Sequence, residues 1–301
     1  MEAIVFDRFG GPEVLRMTEV GLPEPGPGQV RLRVVSAAVN PVDHKIRNGW
    51  LEAVFPTVFP AVPGWEAAGV VDEVGEGVTG LASGDEVFGF TDTGSYAGYA
   101  LATVVARKPA ALSWDEAAAL PVAGETAQRV LDLLAVTGGE TVLVHGAAGA
   151  VGGLAVQLAV ARGATVIGTA SAANHDHLRS LGVIPVTYGD GLADRVRALA
   201  PRGVDAVFDA AGQGAVQVSV ELRGTTDRII TIADAVAAQE AGVPFSAGGE
   251  RTAEALAALA DLAVAGRLHV EVADTYPLAE AAKAQEQSAT GHTRGKLLLH
   301  P

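Results

Sequence analysis

The 301-residue sequence contains no cysteine, which excludes disulfides, a thiol nucleophile and every thiolate-based zinc site. Any metal would have to be held by histidine and carboxylate. No stretch approaches the roughly 18 to 20 uninterrupted apolar residues of a membrane-spanning helix. The opening Met1–Gly10 lacks the basic, apolar, small-residue pattern of an export signal, so a cytoplasmic location is expected. Basic runs are also absent. Lys and Arg number 21 against 35 Asp and Glu, a net charge of −14, and arginines such as Arg31, Arg33, Arg195 and Arg197 are scattered. Such a chain repels a phosphate backbone, so no nucleic-acid partner is expected, although a local basic pocket remains open.

What is present is a large apolar fraction, 49%, with 37 glycines, enough for a sizeable core and two domains. The first hundred residues alternate short apolar runs with Gly/Pro turns, as in Arg31–Ala37, Ala68–Val74 and Glu86–Phe90, the pattern of a β-rich domain. Gly21–Gly28 (GLPEPGPG) reads as a loop, because its prolines lack amide donors. Ser113 and Glu116 have capping-box spacing and open an Ala-rich helix, Trp114–Leu120, where a domain crossover is expected. From residue 141, strands (Thr141–His145, Thr165–Thr169, Val204–Phe208) alternate with helices (from Val151, and over His175–Leu181), which calls for a parallel sheet covered on both faces. Val151, Leu154, Ala155, Leu158 and Ala159 fall on one helical face, with Gly163 as a left-handed stop. Leu256, Leu259, Ala260 and Ala263 repeat that spacing before Gly266 and a strand-like Leu268–Val272.

The strand Thr141–His145 runs into a glycine-rich turn, Gly146–Gly153, and then a helix. A dinucleotide fingerprint needs small residues at the tight turn, at the approach to the pyrophosphate and at the helix–strand contact; Ala147, Gly149 and Gly152 stand there, with Ala147 departing from the usual first glycine. Ala150 and Val151 begin the helix whose free amides would face the phosphates. An NAD site would carry an acid at the end of the second strand; Thr165–Ser171 (TVIGTAS) has none. Ser171, Asn174 and His175 offer donors to a 2′-phosphate instead, which favours NADPH, although helix capping by Ser171 and Asn174 is an equal alternative.

Together these residues resemble the medium-chain dehydrogenase/reductase superfamily in its zinc-independent quinone oxidoreductase branch. The matching stretches are Asn40–Gly49 (NPVDHKIRNG), Pro63–Gly69 (PGWEAAG), Ala119–Thr126 (ALPVAGET), Val144–Gly152 (VHGAAGAVG) and Gly291–Leu298 (GHTRGKLL). The resemblance implies an α/β fold: a GroES-like β-rich catalytic domain over 1–117 and 265–301, and a Rossmann doubly wound parallel sheet over 118–264. Zinc-dependent relatives carry Cys where this chain has Asn40 and His where it has Trp65, so no metal is expected; His44 and Glu66 alone make a poor site. The resemblance further puts Thr126 beside the nicotinamide, Ile232 and Ala233 at its carboxamide and Tyr188 at the adenine-phosphate pocket. Arg294, Gly295 and Lys296 would close over the cofactor.

The substrate cleft is expected to use Asn40, Asp43 and Lys45, with Trp50 as an apolar wall. Asp43 could equally hold Lys45 and the local backbone. Several relatives place a tyrosine where Lys45 stands, so the proton source is Lys45 or water. Without a metal to polarise a simple carbonyl, the natural acceptors are quinones and α,β-unsaturated carbonyls. An enoyl reductase of a biosynthetic pathway and a non-catalytic NADPH sensor are the alternatives. A homodimer is implied by the family, with Arg228–Ala233 (RIITIA) either an edge strand or an internal one.

Overall fold

The computed structural model describes residues 1–301. The chain begins with an antiparallel pair, β1 (Glu2–Val5) and β2 (Arg16–Glu19), and the proline-rich segment after it is a loop. There follow β3 (Val30–Val39), α1 (Pro41–Arg47), β4 (Glu66–Val74), β5 (Glu86–Phe90), β6 (Tyr99–Ala102) and β7 (Val104–Arg107). Next come α2 (Trp114–Ala119) and α3 (Pro121–Leu133). Ser113 caps α2 through the expected box, accepting from the Glu116 amide while Glu116 accepts from the Ser113 amide.

The middle of the chain alternates as its period requires: β8 (Thr141–His145), α4 (Ala150–Ala161), β9 (Thr165–Thr169), α5 (His175–Ser180), β10 (Ile184–Val186), α6 (Leu192–Leu199), β11 (Ala206–Asp209), α7 (Ala215–Arg223), β12 (Ile229–Thr231) and α8 (Ala235–Ala241). The five strands form a parallel sheet in the order β10-β9-β8-β11-β12. The order reverses between β8 and β11, the switch point at which such sheets bind ligands beyond their carboxyl ends. Leu154, Ala155, Leu158 and Ala159 of α4 are buried as the periodicity predicts, and Gly163 follows at φ +84°. One core joins Leu143, Ile167, Val207 and Ile229 of the sheet to Val196 and Val216 of the helices.

The chain closes with α9 (Ala253–Val264), β13 (Val272–Pro277), α10 (Ala281–Ala289) and β14 (Lys296–His300). β14 returns to lie between β13 and β3 in a seven-stranded sheet that runs β13-β14-β3-β4-β5-β7, with β6 on β3. Val34, Ala37, Val39, Ala67, Leu297 and Leu299 of this sheet share a core with Leu278 and Ala284.

Two compact units result: Met1–Val122 with Arg251–Ala265 and Val270–Pro301, and Ala123–Glu250 with Gly266–His269. The second unit is narrower than the 118–264 expected for the cofactor domain. Helix α9 packs with β7 of the β-rich unit, burying Leu256, Leu259 and Ala260; its apolar stripe forecasts a helix but does not say which sheet it covers. The strand expected over Leu268–Val272 is also absent at Leu268–Val270. Leu268 and Val270 are buried, yet the His269 amide bonds the Gln157 side chain at 2.7 Å instead of a strand. No helix is long and apolar enough to cross a membrane.

Candidate active site

In the parallel-sheet unit, β8 ends at His145 and the chain turns at Gly146, φ +72°, a conformation that favours glycine. The Gly146 amide bonds Thr169 Oγ1 at 3.1 Å and the Ala147 amide the Thr169 carbonyl at 3.0 Å, tying the turn to β9. Gly149 is the N-cap of α4 and supplies no side-chain cap. The first helical bond is donated by Gly153 to Gly149, so the amides of Ala150, Val151 and Gly152 precede it and are directed at whatever lies before the helix. A Cβ on Gly152 would stand 2.8 Å from the Gly146 carbonyl carbon, so only glycine lets the helix approach the turn this closely. The departure at Ala147 has its own accommodation: Ala147 is fully buried, and a Cβ on Gly168 of β9 would lie 2.7 Å from the Ala147 methyl. A glycine on the neighbouring strand makes room for the missing glycine of the turn. This cradle of bare backbone and free amides fits a pyrophosphate.

The loop after β9 carries no carboxylate until Asp176. Neither Ser171 nor Asn174 caps a helix with its side chain, which removes the capping alternative; instead Asn174 Nδ2 lies 3.3 Å from Ser171 Oγ. His175 Nε2 is 3.4 Å from Thr187 Oγ1, and the exposed Tyr188 follows. Arg195 Nη2 donates to the Thr187 carbonyl at 2.8 Å and Nη1 to the Asp190 carbonyl at 2.8 Å, holding that loop from below.

After β12, the Ile232 amide donates to the Asp209 carbonyl and the Ala233 amide to Thr231 Oγ1, so both N–H groups are engaged within the fold. Asp209 is fully buried and accepts from Ala211, Gly212 and Thr231 Oγ1 at 2.7 to 2.9 Å, which shapes the loop after β11. His145, its neighbour across the ladder, is 3.2 Å from Ser219 Oγ. Burial lowers its pKa to about 4, against an opposing pull from Asp209, so this imidazole is neutral. Thr126, on α3, is nearly buried between Glu125 and Arg129, whose own pair closes at 2.6 Å. Arg129 also donates to Ser246.

In the β-rich unit, Asn40 caps α1 and stands at the centre of a buried polar set. Its backbone amide bonds Asp43 Oδ2 at 2.8 Å, its Nδ2 donates to Glu66 Oε1 at 2.8 Å, and its Oδ1 accepts from Lys296 Nζ at 2.6 Å. Glu66 is fully buried; it pairs with Lys296 at 2.7 Å and accepts the Val122 amide at 2.7 Å. Asp43 is 2% exposed and accepts from Tyr96 OH at 2.8 Å as well as from Asn40. It therefore supports Asn40 from behind; no bond joins it to Lys45, which corrects the alternative that it holds that lysine. Burial outweighs those two donors and raises the Asp43 pKa to about 7. Burial, with the charges of Lys45 and Arg47 next, lowers His44 to about 4.

Lys45 is half-buried on α1 and in no ion pair. Trp50, beyond the helix, is 69% exposed and meets His44 edge-on at 6.3 Å between ring centres. In the tail, Arg294 pairs with Glu271 at 3.0 Å. Gly295 takes φ +83°, where a Cβ would meet the Glu271 backbone. Lys296, expected to close over the cofactor, has its side chain 3% exposed and its ammonium paired with Glu66 inside the β-rich unit, as a buried cation needs a carboxylate.

Neither the role of Tyr96 nor the pairing of Lys296 with Glu66 is legible in the sequence. Glu66 heading the apolar first part of β4 (EAAGVV) and Lys296 heading the leucines of β14 (KLLLH) were the available signal for the pair. Tyr96 lies in a turn and carried none. No three His, Asp or Glu side chains converge in a set able to hold a metal ion.

Two family models match: the alcohol dehydrogenase GroES-like domain over residues 26–110, and a zinc-binding dehydrogenase domain over 181–299. A 2-methylene-furan-3-one reductase of Solanum lycopersicum is 33% identical, with 100% of this chain and 79% of the relative aligned. The quinone oxidoreductase of Homo sapiens is also 33% identical, across 99% of this chain and 97% of its own. Among solved structures, the Escherichia coli quinone oxidoreductase complexed with NADPH superposes with a TM-score of 0.89 at 27% identity over the full length of both chains. The β-rich unit is thus GroES-like, the parallel sheet is of the Rossmann type, and the chain belongs to the quinone oxidoreductase branch of the medium-chain dehydrogenase/reductase superfamily.

Proposed function

We propose that this protein is an NADPH-dependent, zinc-free oxidoreductase that transfers hydride to a small quinone or α,β-unsaturated carbonyl. The observation that carries the reading is the cradle between β8 and α4, with its free amides, beside a loop after β9 that has donors and no carboxylate. The Solanum relative is named for reducing a conjugated methylene ketone, the human one for reducing quinones, and the E. coli structure holds NADPH; all three support it.

The residues divide the work. Ala147, Gly149, Ala150, Val151 and Gly152 would hold the pyrophosphate. Ser171, Asn174 and His175 would receive the 2′-phosphate, with Tyr188 at the adenosine end. At the nicotinamide, Ile232 and Ala233 have spent their amides on the fold and so would offer carbonyls to the carboxamide, beside Thr126. Bound there, NADPH supplies a hydride. Asn40 keeps one Nδ2 hydrogen for a substrate oxygen, and Lys45 or water returns the proton. Asp43, Glu66 and Lys296 act through Asn40 as positioning residues. Trp50 would be an apolar wall, and Arg294 and Gly295 would order the tail.

Zinc independence rests on composition, since Asn40 and Trp65 stand where the zinc-dependent pattern has its ligands. A homodimer and a cytoplasmic location complete the reading. The test is steady-state NADPH oxidation with a quinone and with a conjugated enone, before and after treatment with a strong chelator. Turnover of either acceptor that survives chelation supports the reading; no turnover with both, or loss on chelation, overturns it.

A further inference from the structure

Within the β-rich unit, three aromatic rings and one guanidinium form a cluster to which none of the roles above applies. Phe55 meets Trp65 edge-on at 5.2 Å between ring centres. The guanidinium carbon of Arg251 lies 4.3 Å from the centre of the Phe90 ring and 5.7 Å from that of Trp65. Phe90 is buried, and Trp65, Phe55 and Arg251 are half-buried.

The cluster borders the polar centre around Asn40: Trp65 immediately precedes Glu66, Phe90 is the ladder partner of Glu66, and the Thr91 amide bonds the Trp65 carbonyl at 3.0 Å. The Glu66 charge is already matched by Lys296, and no carboxylate is in ion-pair contact with Arg251. Aromatic contacts engage the face of a guanidinium and hold it in place. Its planar edge, with five N–H donors in a fixed fork, suits a bidentate carboxylate. In a chain of net charge −14 the general field repels anions, so an anionic substrate needs a local cation to be recognised.

We propose that Arg251, held against Phe90 and Trp65, binds a carboxylate on the conjugated substrate, so that the preferred acceptors are unsaturated oxo-acids and not their neutral analogues. This rests on the reductase reading above for turnover, but not for binding.

The test compares 4-oxopent-2-enoate with its methyl ester, which share the enone and differ in charge, on wild type, Arg251→Gln and Arg251→Lys. A lost charge-assisted bidentate contact corresponds to roughly 10- to 100-fold. The acid-to-ester ratio of kcat/KM should fall by that factor in Arg251→Gln, mainly through KM, and recover in part in Arg251→Lys. NADPH affinity should stay at the wild-type value in both variants, which also reports that they fold. A wild type that does not prefer the acid, a ratio unmoved by Arg251→Gln, or a loss of NADPH affinity would overturn the proposal. If neither compound is turned over, the reductase reading is decided separately by the quinone, and quenching of tryptophan fluorescence by the saturated 4-oxopentanoate decides this one. Binding to wild type that Arg251→Gln abolishes supports Arg251; absence of binding to both, or equal binding, overturns it.

Discussion

Replacing Lys296 by methionine removes one half of a buried ion pair and leaves the other half charged. Glu66 is fully buried; in the wild type its Oε1 receives Asn40 Nδ2 and Lys296 Nζ, and its Oε2 the Val122 amide. Methionine fills most of the volume of the lysine stem, so the loss is electrostatic: an unpaired buried carboxylate costs about 3–5 kcal/mol. At the response of a large domain, about 2–4 °C per kcal/mol, the midpoint of thermal unfolding should drop by roughly 6–20 °C. Glu66→Gln paired with Lys296→Met removes both charges and keeps an amide oxygen for Asn40 or Val122, so the double variant should regain much of what the single one loses. Differential scanning calorimetry of the four proteins in the cycle measures this. A Lys296→Met midpoint within 2 °C of wild type, on this scale about 1 kcal/mol or less, would refute the reasoning, as would a double variant no more stable than Lys296→Met alone.

Three other outcomes follow from the same geometry. Gly168→Ala should destabilise the protein by about 1–3 kcal/mol, because the new methyl meets Ala147 and Val183; adding Ala147→Gly should restore part of it, and urea midpoints of the single and double variants check the pair. Ser171→Asp places a carboxylate where the 2′-phosphate would sit, so it should weaken NADPH at least about 10-fold while leaving NADH as tight or tighter, read by fluorescence titration. Asp43 binds its proton more tightly folded, to about pH 7, than unfolded. Its contribution to stability is therefore lost as pH rises from about 4 to 7. The stability of wild type relative to Asp43→Asn should fall across that window, measured by urea unfolding at several pH values; a constant difference would contradict the buried carboxyl.

The parallel sheet was legible because its strands are short apolar runs ended by glycine or polar turns, and because α4 repeats its apolar residues at helical spacing. The glycine turn was legible for a similar reason: Ala147, Gly149 and Gly152 lie at fixed offsets from a strand end. What pairing decides was less so. Leu268 and Val270 are apolar enough for a strand, but whether they form one depends on a ladder partner, and the Gln157 side chain takes the amide of His269. Asp43 and Tyr96 are 53 positions apart, and neither residue announces the other. Lys296 in GKLLL looked like a tail residue until the fold brought β14 beside β3 and its ammonium to Glu66. Whether Ser171 and Asn174 cap a helix was likewise decided only by the fold, in which neither side chain makes a cap bond.

The central claim, that the chain binds NADPH in order to reduce a conjugated acceptor, is tested most directly by titrating the purified protein with NADPH and with NADH, then mixing the NADPH complex in a stopped-flow cell with a quinone or an enone. The account predicts tighter binding of NADPH than of NADH, and single-turnover oxidation of the bound cofactor by at least one of the two acceptors. Preference for NADH, or an NADPH complex that neither acceptor oxidises, would contradict it.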